Sequence, residues 1–356
     1  MFELDRNKQK IIIEGISYTK EDILGGVPAF ANESDFGLEV YEVLKDWFLD
    51  TDEILLHTSG STGMPKIIKG NKEQMMQSAK LTCSFLDLKE GDTALLCLPV
   101  SAIAGKMVLV RALIAGLNVY LVSPCGNPLK DFDYDIVFAA MVPMQAFVSL
   151  QSKTEKKRFE KISNVIIGGG AIDKQLESAL KPLSNNIYST YGMTETLSHI
   201  ALRRINGSSS SLNYTPFQSV KISLSADGCL IIDAPLVSKK RLLTNDLAEI
   251  NYDGSFRIIG RKDNVINTGG IKIQIEELEE KLRSIIESKF AITSRPDAKF
   301  GEVIILMSEA EVDKDKMKTL LSPFEIPKDI ILVDKLPLTR TGKIDRKALK
   351  RMIPNV

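Results

Sequence analysis

The chain of 356 residues has two histidines, His57 and His199, a single tryptophan and four cysteines. So few imidazoles leave a His-based metal centre or a Ser-His-Asp triad short of parts. Cys83, Cys97, Cys125 and Cys229 stand far apart with no C-x-x-C pair. That spacing excludes a zinc ribbon or a thioredoxin-type redox motif and fits unpaired thiols in a reducing compartment. Neither sign of charge dominates: Lys+Arg and Asp+Glu number 46 each. No overall field therefore draws nucleic acid or an anionic membrane. No apolar run reaches the length of a membrane span. The opening MFELDRNKQK has charges with no hydrophobic core behind them, so no secretory signal is expected. These shortages favour a cytoplasmic protein acting on small molecules; homo-oligomerisation stays open.

What is there is an ordinary globular composition, 44% hydrophobic and 26% charged, long enough for two domains with their own cores. Lys10–Ile13 reads as a strand and Leu38–Phe48 as a helix. Asn71 followed by Gln74 is a capping signal for a helix running to about Leu86. Apolar runs and helical segments then alternate through Thr93–Leu98, Ile103–Ala115, Asn118–Val122, Ile136–Ala140, Met144–Leu150, Val165–Ile167 and Lys174–Lys181. That alternation predicts a largely parallel α/β sheet. Between 213 and 261 the pattern shifts to short strands with turns at Asp227-Gly228 and Asp253-Gly254, a β-rich subdomain. A second unit begins near 264 with a helix from Ile275 to about Ser288, for which Glu277–Lys281 and Glu279–Arg283 are the expected surface pairs. Strands are expected at Phe290–Thr293, Val303–Met307 and Asp329–Val333, with a helix around Lys314–Leu321. The expected fold class is α/β: a large N-terminal α/β domain over 1–262 with a β-rich subdomain, and a small mobile α+β domain over 263–356.

Thr58-Ser59-Gly60-Ser61-Thr62-Gly63-Met64-Pro65-Lys66 follows the apolar run Ile54-Leu55-Leu56. It offers backbone N–H groups, hydroxyls and a cation to one small volume, as a polyphosphate requires. It is not a Walker loop, because Pro65 stands where the second glycine belongs. By itself it reads equally as a Ser/Gly hairpin turn. Tyr191-Gly192-Met193-Thr194-Glu195-Thr196 combines a ring, a flexible turn, hydroxyls and one carboxylate suited to Mg²⁺; alone, it is equally a turn. Gly168-Gly169-Gly170 lets a ligand approach the backbone, but Asp173 spoils a dinucleotide fingerprint. Asp246 suits a ribose diol or a surface turn. Lys343, on the loop Pro337–Lys343, is an ordinary solvated lysine when nothing else speaks for it.

In order and spacing these segments resemble the adenylate-forming superfamily of acyl-CoA synthetases, luciferases and peptide-synthetase adenylation domains. The matching stretches are Thr58–Lys66, Tyr191–Glu195, Thr244–Asp246, Gly260-Arg261-Lys262-Asp263 and Pro337–Lys343, across roughly residues 53–350. The resemblance implies ATP, Mg²⁺ and coenzyme A as ligands and a carboxylic acid as substrate. By it, Thr58, Ser59, Gly60, Ser61, Thr62, Gly63 and Lys66 would wrap the β- and γ-phosphates. Gly169, Gly170, Ala171, Tyr191 and Gly192 would border the adenine. Thr194 would meet the α-phosphate, Glu195 would ligate Mg²⁺, and Asp246 and Arg261 would hold the ribose. Asp263 would be the hinge, Lys343 would bridge the acid and the α-phosphate, and Gly269, Gly270 and Lys272 would face the pantetheine of CoA.

Among short bacterial members, Val142-Pro143-Met144-Gln145 and Gly168-Gly169-Gly170-Ala171-Ile172 resemble the subgroup that activates o-succinylbenzoate for menaquinone biosynthesis. Leu98–Gly105 resembles that subgroup's Leu-Pro-Leu-Phe-His-x-x-Gly motif but departs from it at Ser101 and Ala102, so the aromatic and histidine that the resemblance places beside the acyl pocket are absent. Lys106, in an apolar stretch, is a candidate for a second substrate carboxylate or a snorkelling lysine at a helix end. The alternatives are another aryl or acyl acid–CoA ligase, an adenylation enzyme loading a carrier protein, and a relative that holds nucleotide without catalysis.

Overall fold

The computed structural model describes residues 2–58, 66–338 and 344–353. The first half of the chain builds β1 (Lys10–Ile13), β2 (Ile16–Thr19), α1 (Lys20–Gly25), α2 (Ala29–Glu33), α3 (Asp35–Phe48), β3 (Glu53–Thr58), β4 (Lys66–Asn71) and α4 (Lys72–Phe85). There follow β5 (Thr93–Leu96), α5 (Ile103–Ala115), β6 (Asn118–Leu121), β7 (Phe138–Met141), α6 (Pro143–Ser149), α7 (Lys153–Lys161), β8 (Asn164–Ile167), α8 (Lys174–Leu180), β9 (Asn186–Gly192), β10 (His199–Arg204) and β11 (Thr215–Pro216).

Nine of these strands form one sheet in the order β11-β10-β9-β8-β7-β5-β6-β1-β2. Pairing is parallel from β9 across to β1 and antiparallel at both margins. Interior parallel strands are covered on both faces and so read as unbroken apolar runs. The cluster of Leu95, Ala139, Met141, Val165, Ile167 and Ile187 with Leu176 and Leu180 of α8 is that cover on one face, each Val, Leu, Ile or Met side chain contributing about 1.5–3 kcal/mol on burial. The chain turns to β6 on one side of β5 and to β7 on the other. This is a topological switch point, with its crevice at the carboxyl ends of the strands. Gln145, fully buried at the start of α6, fastens that edge: its Nε2 donates to Cys97 O at 3.0 Å and Cys125 O at 2.9 Å. Asn71 caps α4 as expected, its Oδ1 accepting from Gln74 N at 3.0 Å. Trp47, the lone tryptophan, is buried in α3 and donates to Gln9 Oε1 at 2.9 Å. No helix among the described residues is long and apolar enough to cross a membrane.

Beyond lie β12 (Lys221–Leu224), β13 (Cys229–Asp233), β14 (Leu242–Ile250) and β15 (Phe256–Arg261), joined as a four-stranded sheet in that order. The last segment forms β16 (Val265–Thr268), β17 (Ile271–Gln274), α9 (Ile275–Leu282), β18 (Phe290–Asp297), β19 (Gly301–Ser308), α10 (Lys314–Leu320), β20 (Asp329–Leu332) and α11 (Arg346–Arg351). Contacts group the chain into two compact units. One holds Met1–Ile222, Ile232–Leu242 and Tyr252–Ser255; the other holds Ser223–Ile231, Leu243–Asn251 and Phe256–Val356.

Within the second unit β18 and β19 bury both faces. Ile292, Ile304 and Leu306 pack with Leu278 and Leu282 of α9, whereas Ala291, Val303, Ile305 and Met307 pack with Leu349 of α11. Helix α9 stops at Leu282, six residues short of the expected end. Its apolar pattern continues because the following turns, bonded Ser284 N to Lys281 O and Ile285 N to Leu282 O, still bury Ile286. Nor do the expected surface pairs form. Glu279 points inward and takes a bidentate bond from Arg346 at 2.8 and 3.0 Å, and Lys281 pairs with Glu325. A buried bidentate partner outweighs an exposed i,i+4 pair.

Candidate active site

At the carboxyl edge of the large sheet, the loops after β8 and β9 lie side by side. Strands β8 and β9 are in parallel register, Ile167 opposite Ser189. A Cβ on Gly168 would stand 2.3 Å from Thr190 Oγ1, so glycine lets the first loop leave its strand beside the second without displacing that hydroxyl. Gly169, Gly170 and Ala171 follow as backbone without regular structure. On the neighbouring strand the half-buried ring of Tyr191 packs 5.8 Å from the ring of Tyr214, whose hydroxyl is bonded to Ser189 Oγ at 2.8 Å. Gly192 is the forced glycine: its Cβ would lie 2.3 Å from Ser198 O and 2.4 Å from His199 Cα, both backbone atoms, where β10 crosses back.

Between those crossings Thr194–Thr196 makes one 3₁₀ turn. Thr196 Oγ1 accepts from Met193 N at 3.0 Å and donates to Ser198 O at 2.7 Å. Thr196 is fully buried and Glu195 is exposed, with Thr194 between them. The turn is thus fastened from beneath and presents its carboxylate outward. Leu197 below it rests against Gly70 of β4. β3 and β4 pair antiparallel to Thr58↔Lys66. That places the ends of the Ser/Gly loop on this hairpin; Ser59, Gly60, Ser61, Thr62 and Gly63 lie outside the described residues, as does Lys343.

Lys106 sits in the first turns of α5, 8% exposed, and no carboxylate pairs with it among the described residues. Burial lowers its pKa, and Asp46 of α3 pulls weakly the other way. A buried ammonium with so little compensation is costly unless an anion arrives.

Asp246, Arg261 and Asp263 fall in the second unit. Asp246 is opposite Arg261 in the β14–β15 ladder, and Arg261 Nη1 donates to its Oδ1 at 3.0 Å while Nη2 reaches Asp263 at 3.3 Å. Asn245, which sequence reading passed over, adds a bond to Asp263 at 3.1 Å. The Thr-x-Asp spacing has a local cause: Thr244 Oγ1 accepts from Asp246 N at 3.0 Å and donates to Leu230 O at 2.9 Å. Gly269 and Gly270, with φ of 58° and 82°, close the two-residue turn between β16 and β17, a geometry that demands positive φ twice. Lys272 lines a cavity of about 160 Å³ with Gln274, Glu277, Phe324 and Glu325.

His199 is not a site residue. It is buried, bonded to Thr82 Oγ1 at 3.0 Å and to Ser198 Oγ at 3.3 Å. Burial first, then the cation of Arg111, pushes its pKa well below the usual range. The unfolded chain therefore takes up a proton near pH 6.5 that the folded one refuses, and stability falls as pH drops below that value, at about 1.4 kcal/mol per pH unit. Chemical denaturation of the parent and of His199→Gln between pH 7 and 5 should show this slope only in the parent.

A doubly wound parallel sheet with glycine-opened loops and an outward carboxylate at its carboxyl edge defines a nucleotide-binding α/β enzyme. Residues 9–232 match the model of the AMP-binding enzyme family, and the chain belongs to that family. It is 26% identical over 381 residues to 2-succinylbenzoate–CoA ligase of Listeria monocytogenes, covering 96% of this chain and 78% of that protein. A solved acyl-CoA synthetase (AMP-forming)/AMP-acid ligase II-like protein from Dyadobacter fermentans is 33% identical, with a TM-score of 0.63 over 93% of this chain and 97% of that one. The o-succinylbenzoate coenzyme A synthetase of Bacillus subtilis, solved with ATP and magnesium ion, shares the fold at 22% identity and a TM-score of 0.68, over 83% of this chain and 69% of that one.

Proposed function

We propose that the protein is an AMP-forming acid–CoA ligase of the cytoplasm and that its acid is o-succinylbenzoate. The observation that carries this reading is the adjacency of Gly168–Ala171 and Tyr191–Thr196 at the carboxyl edge of the sheet, in a chain whose family binds AMP. The acid is suggested by the name of the Listeria relative. ATP suits the site: the open backbone of Gly169–Ala171 and the ring of Tyr191 offer an adenine a flat berth. Mg²⁺ suits it as well. No cluster of three or more His, Cys, Asp or Glu stands ready among the described residues, and magnesium characteristically takes one or two carboxylates and completes its shell with phosphate oxygens and water. Bound there, it would neutralise charge on the leaving pyrophosphate.

In this reading Thr194 orients the α-phosphate, Glu195 holds the metal, and Asp246 with Arg261 holds the ribose. Lys343 draws the acid's oxygen to the α-phosphorus, and Thr58–Gly63 and Lys66 bind the outer phosphates. The acid oxygen bonds to phosphorus as pyrophosphate leaves; the CoA sulfur then bonds to the acyl carbon, giving up its proton as AMP departs. Gly269, Gly270 and Lys272 guide the thiol's pantetheine arm. Asp263 as hinge and the division into 1–262 and 263–356 belong to the same reading.

Exchange of pyrophosphate into ATP that depends on o-succinylbenzoate, followed by thioester formation with CoA, tests the function. No exchange with any acid would leave a mere nucleotide binder, and transfer only to a carrier-protein thiol would replace CoA as acceptor. Lys106 is the proposed partner of the acid's second carboxylate. Lys106→Met should raise KM for o-succinylbenzoate by ~10–10²-fold, the loss of one charged hydrogen bond, with KM for ATP unmoved. An unchanged KM for the acid would return Lys106 to a structural role beside Asp46.

A further inference from the structure

Behind the Thr194–Thr196 turn runs a buried polar chain that the proposed chemistry does not use. Arg111 of α5 is 2% exposed, and no carboxylate pairs with it among the described residues. Its Nη2 donates to Ser198 Oγ at 2.8 Å, its Cζ lies 5.8 Å from the ring centre of Phe138, and its buried Nε has no partner. Burial draws its pKa down to about 10, so it remains charged at neutral pH. For packing alone, an apolar side chain of the same volume would serve at lower cost.

The hydrogens along this chain can be assigned in order. Ser198 Oγ accepts from Arg111; because Thr82 Oγ1 spends its proton on Ser78 O, the neutral His199 ring must donate from Nε2, and its Nδ1 is left to accept from Ser198 Oγ at 3.3 Å. His199 then carries its hydrogen on Nε2 and donates to Thr82 Oγ1 at 3.0 Å, which passes its proton to Ser78 O at 3.3 Å. Every bond runs one way from the cation to a carbonyl of α4. A branch leaves at Ser198, whose carbonyl accepts from Thr196 Oγ1 at 2.7 Å. Thr196 in turn holds Met193 N, and Leu197, between Thr196 and Ser198, is kept at φ 62°, a left-handed conformation foreign to leucine.

We infer that Arg111 is a positioning residue for Glu195. By fixing Ser198 it locks the underside of the turn and so aims the Glu195 carboxylate and Thr194 hydroxyl. The inference rests on the reading of Glu195 as the magnesium ligand. The test is acid-dependent ATP–pyrophosphate exchange across a Mg²⁺ titration, on the full chain and on Arg111→Met, Arg111→Lys, Ser198→Ala, Glu195→Gln and the double variant of Arg111→Met with Glu195→Gln. Arg111→Met should raise the Mg²⁺ needed for half-maximal rate and lower kcat by up to ~10²-fold, as small misplacements do. KM for the acid should hold, and Arg111→Lys should recover most of the loss. With Glu195 already replaced, Arg111→Met should add little, because both act through one group.

Losses that multiply in the double variant, or an unaltered Mg²⁺ requirement in Arg111→Met, would overturn the inference. Ser198→Ala breaks the same link more gently and decides the matter should Arg111→Met fail to fold. Amide hydrogen exchange over residues 190–199, expected to quicken in either variant, needs no turnover. If the parent exchanges no pyrophosphate whichever acid is supplied, the proposed function falls, and unchanged amide protection in these variants would separately refute the lock.

Discussion

Glu195→Gln is expected to lower acid-dependent ATP–pyrophosphate exchange by ~10²–10³-fold, the usual scale for losing one preorganised electrostatic contact. The structure makes this substitution an unusually clean one. No hydrogen bond or ion pair ties the Glu195 side chain among the described residues, and it faces outward from a turn fastened through Thr196, Met193 and the backbone carbonyl of Thr194. Exchanging carboxylate for carboxamide keeps the volume, removes one charge, and should leave stability within about 0.5 kcal/mol. What it removes is the only protein charge that the turn offers to magnesium. Raising Mg²⁺ should therefore restore part of the rate. A rate within twofold of the parent at limiting Mg²⁺ would dismiss Glu195 as the ligand and with it the assignment of this edge as the metal's side of the site.

The framework around that carboxylate was legible in the sequence because its causes are local. Runs such as Val165–Ile167 mark strands buried on both faces, and Asn71 before Lys72–Phe85 marks a helix start. Gly168 and Gly192 were visible as breaks, but the crowding behind them was not. Thr190 and His199, which crowd them, are brought close only by the pairing of β8 with β9 and of β9 with β10. Glu279 misled for the same reason, since its true partner Arg346 lies 67 residues away. Arg111 could not be read at all. In Lys106–Ala115 it is one of two charges in an apolar helix, and Ser198, which explains it, comes 87 residues later. Local chemistry writes itself into spacing; contacts made by the sheet do not.

The same crossing sets the largest structural effect. In Gly192→Ala the added methyl would meet Ser198 O at 2.3 Å, His199 Cα at 2.4 Å and Ser198 C at 2.8 Å. All three are backbone atoms of the segment entering β10, and none can rotate aside. Relief requires β9 and β10 to part where Ser198 anchors the turn, so a loss of roughly 3 kcal/mol is expected, at the top of the range for overpacking. Gly168→Ala provides the comparison. Its methyl meets Thr190 Oγ1 at 2.3 Å but no other atom closer than 3.6 Å, and a threonine hydroxyl can swing away for about 1 kcal/mol. Denaturant melts should therefore rank the two variants in that order. Activity should separate them further, because the strand that yields in Gly192→Ala ends two residues before Thr194. Even its folded fraction should exchange pyrophosphate ~10²-fold more slowly, as expected for a catalytic group displaced by about an ångström. Equal melting points for the two variants would mean that β10 does not press on Gly192, and the account of the turn as held from below would fail with it.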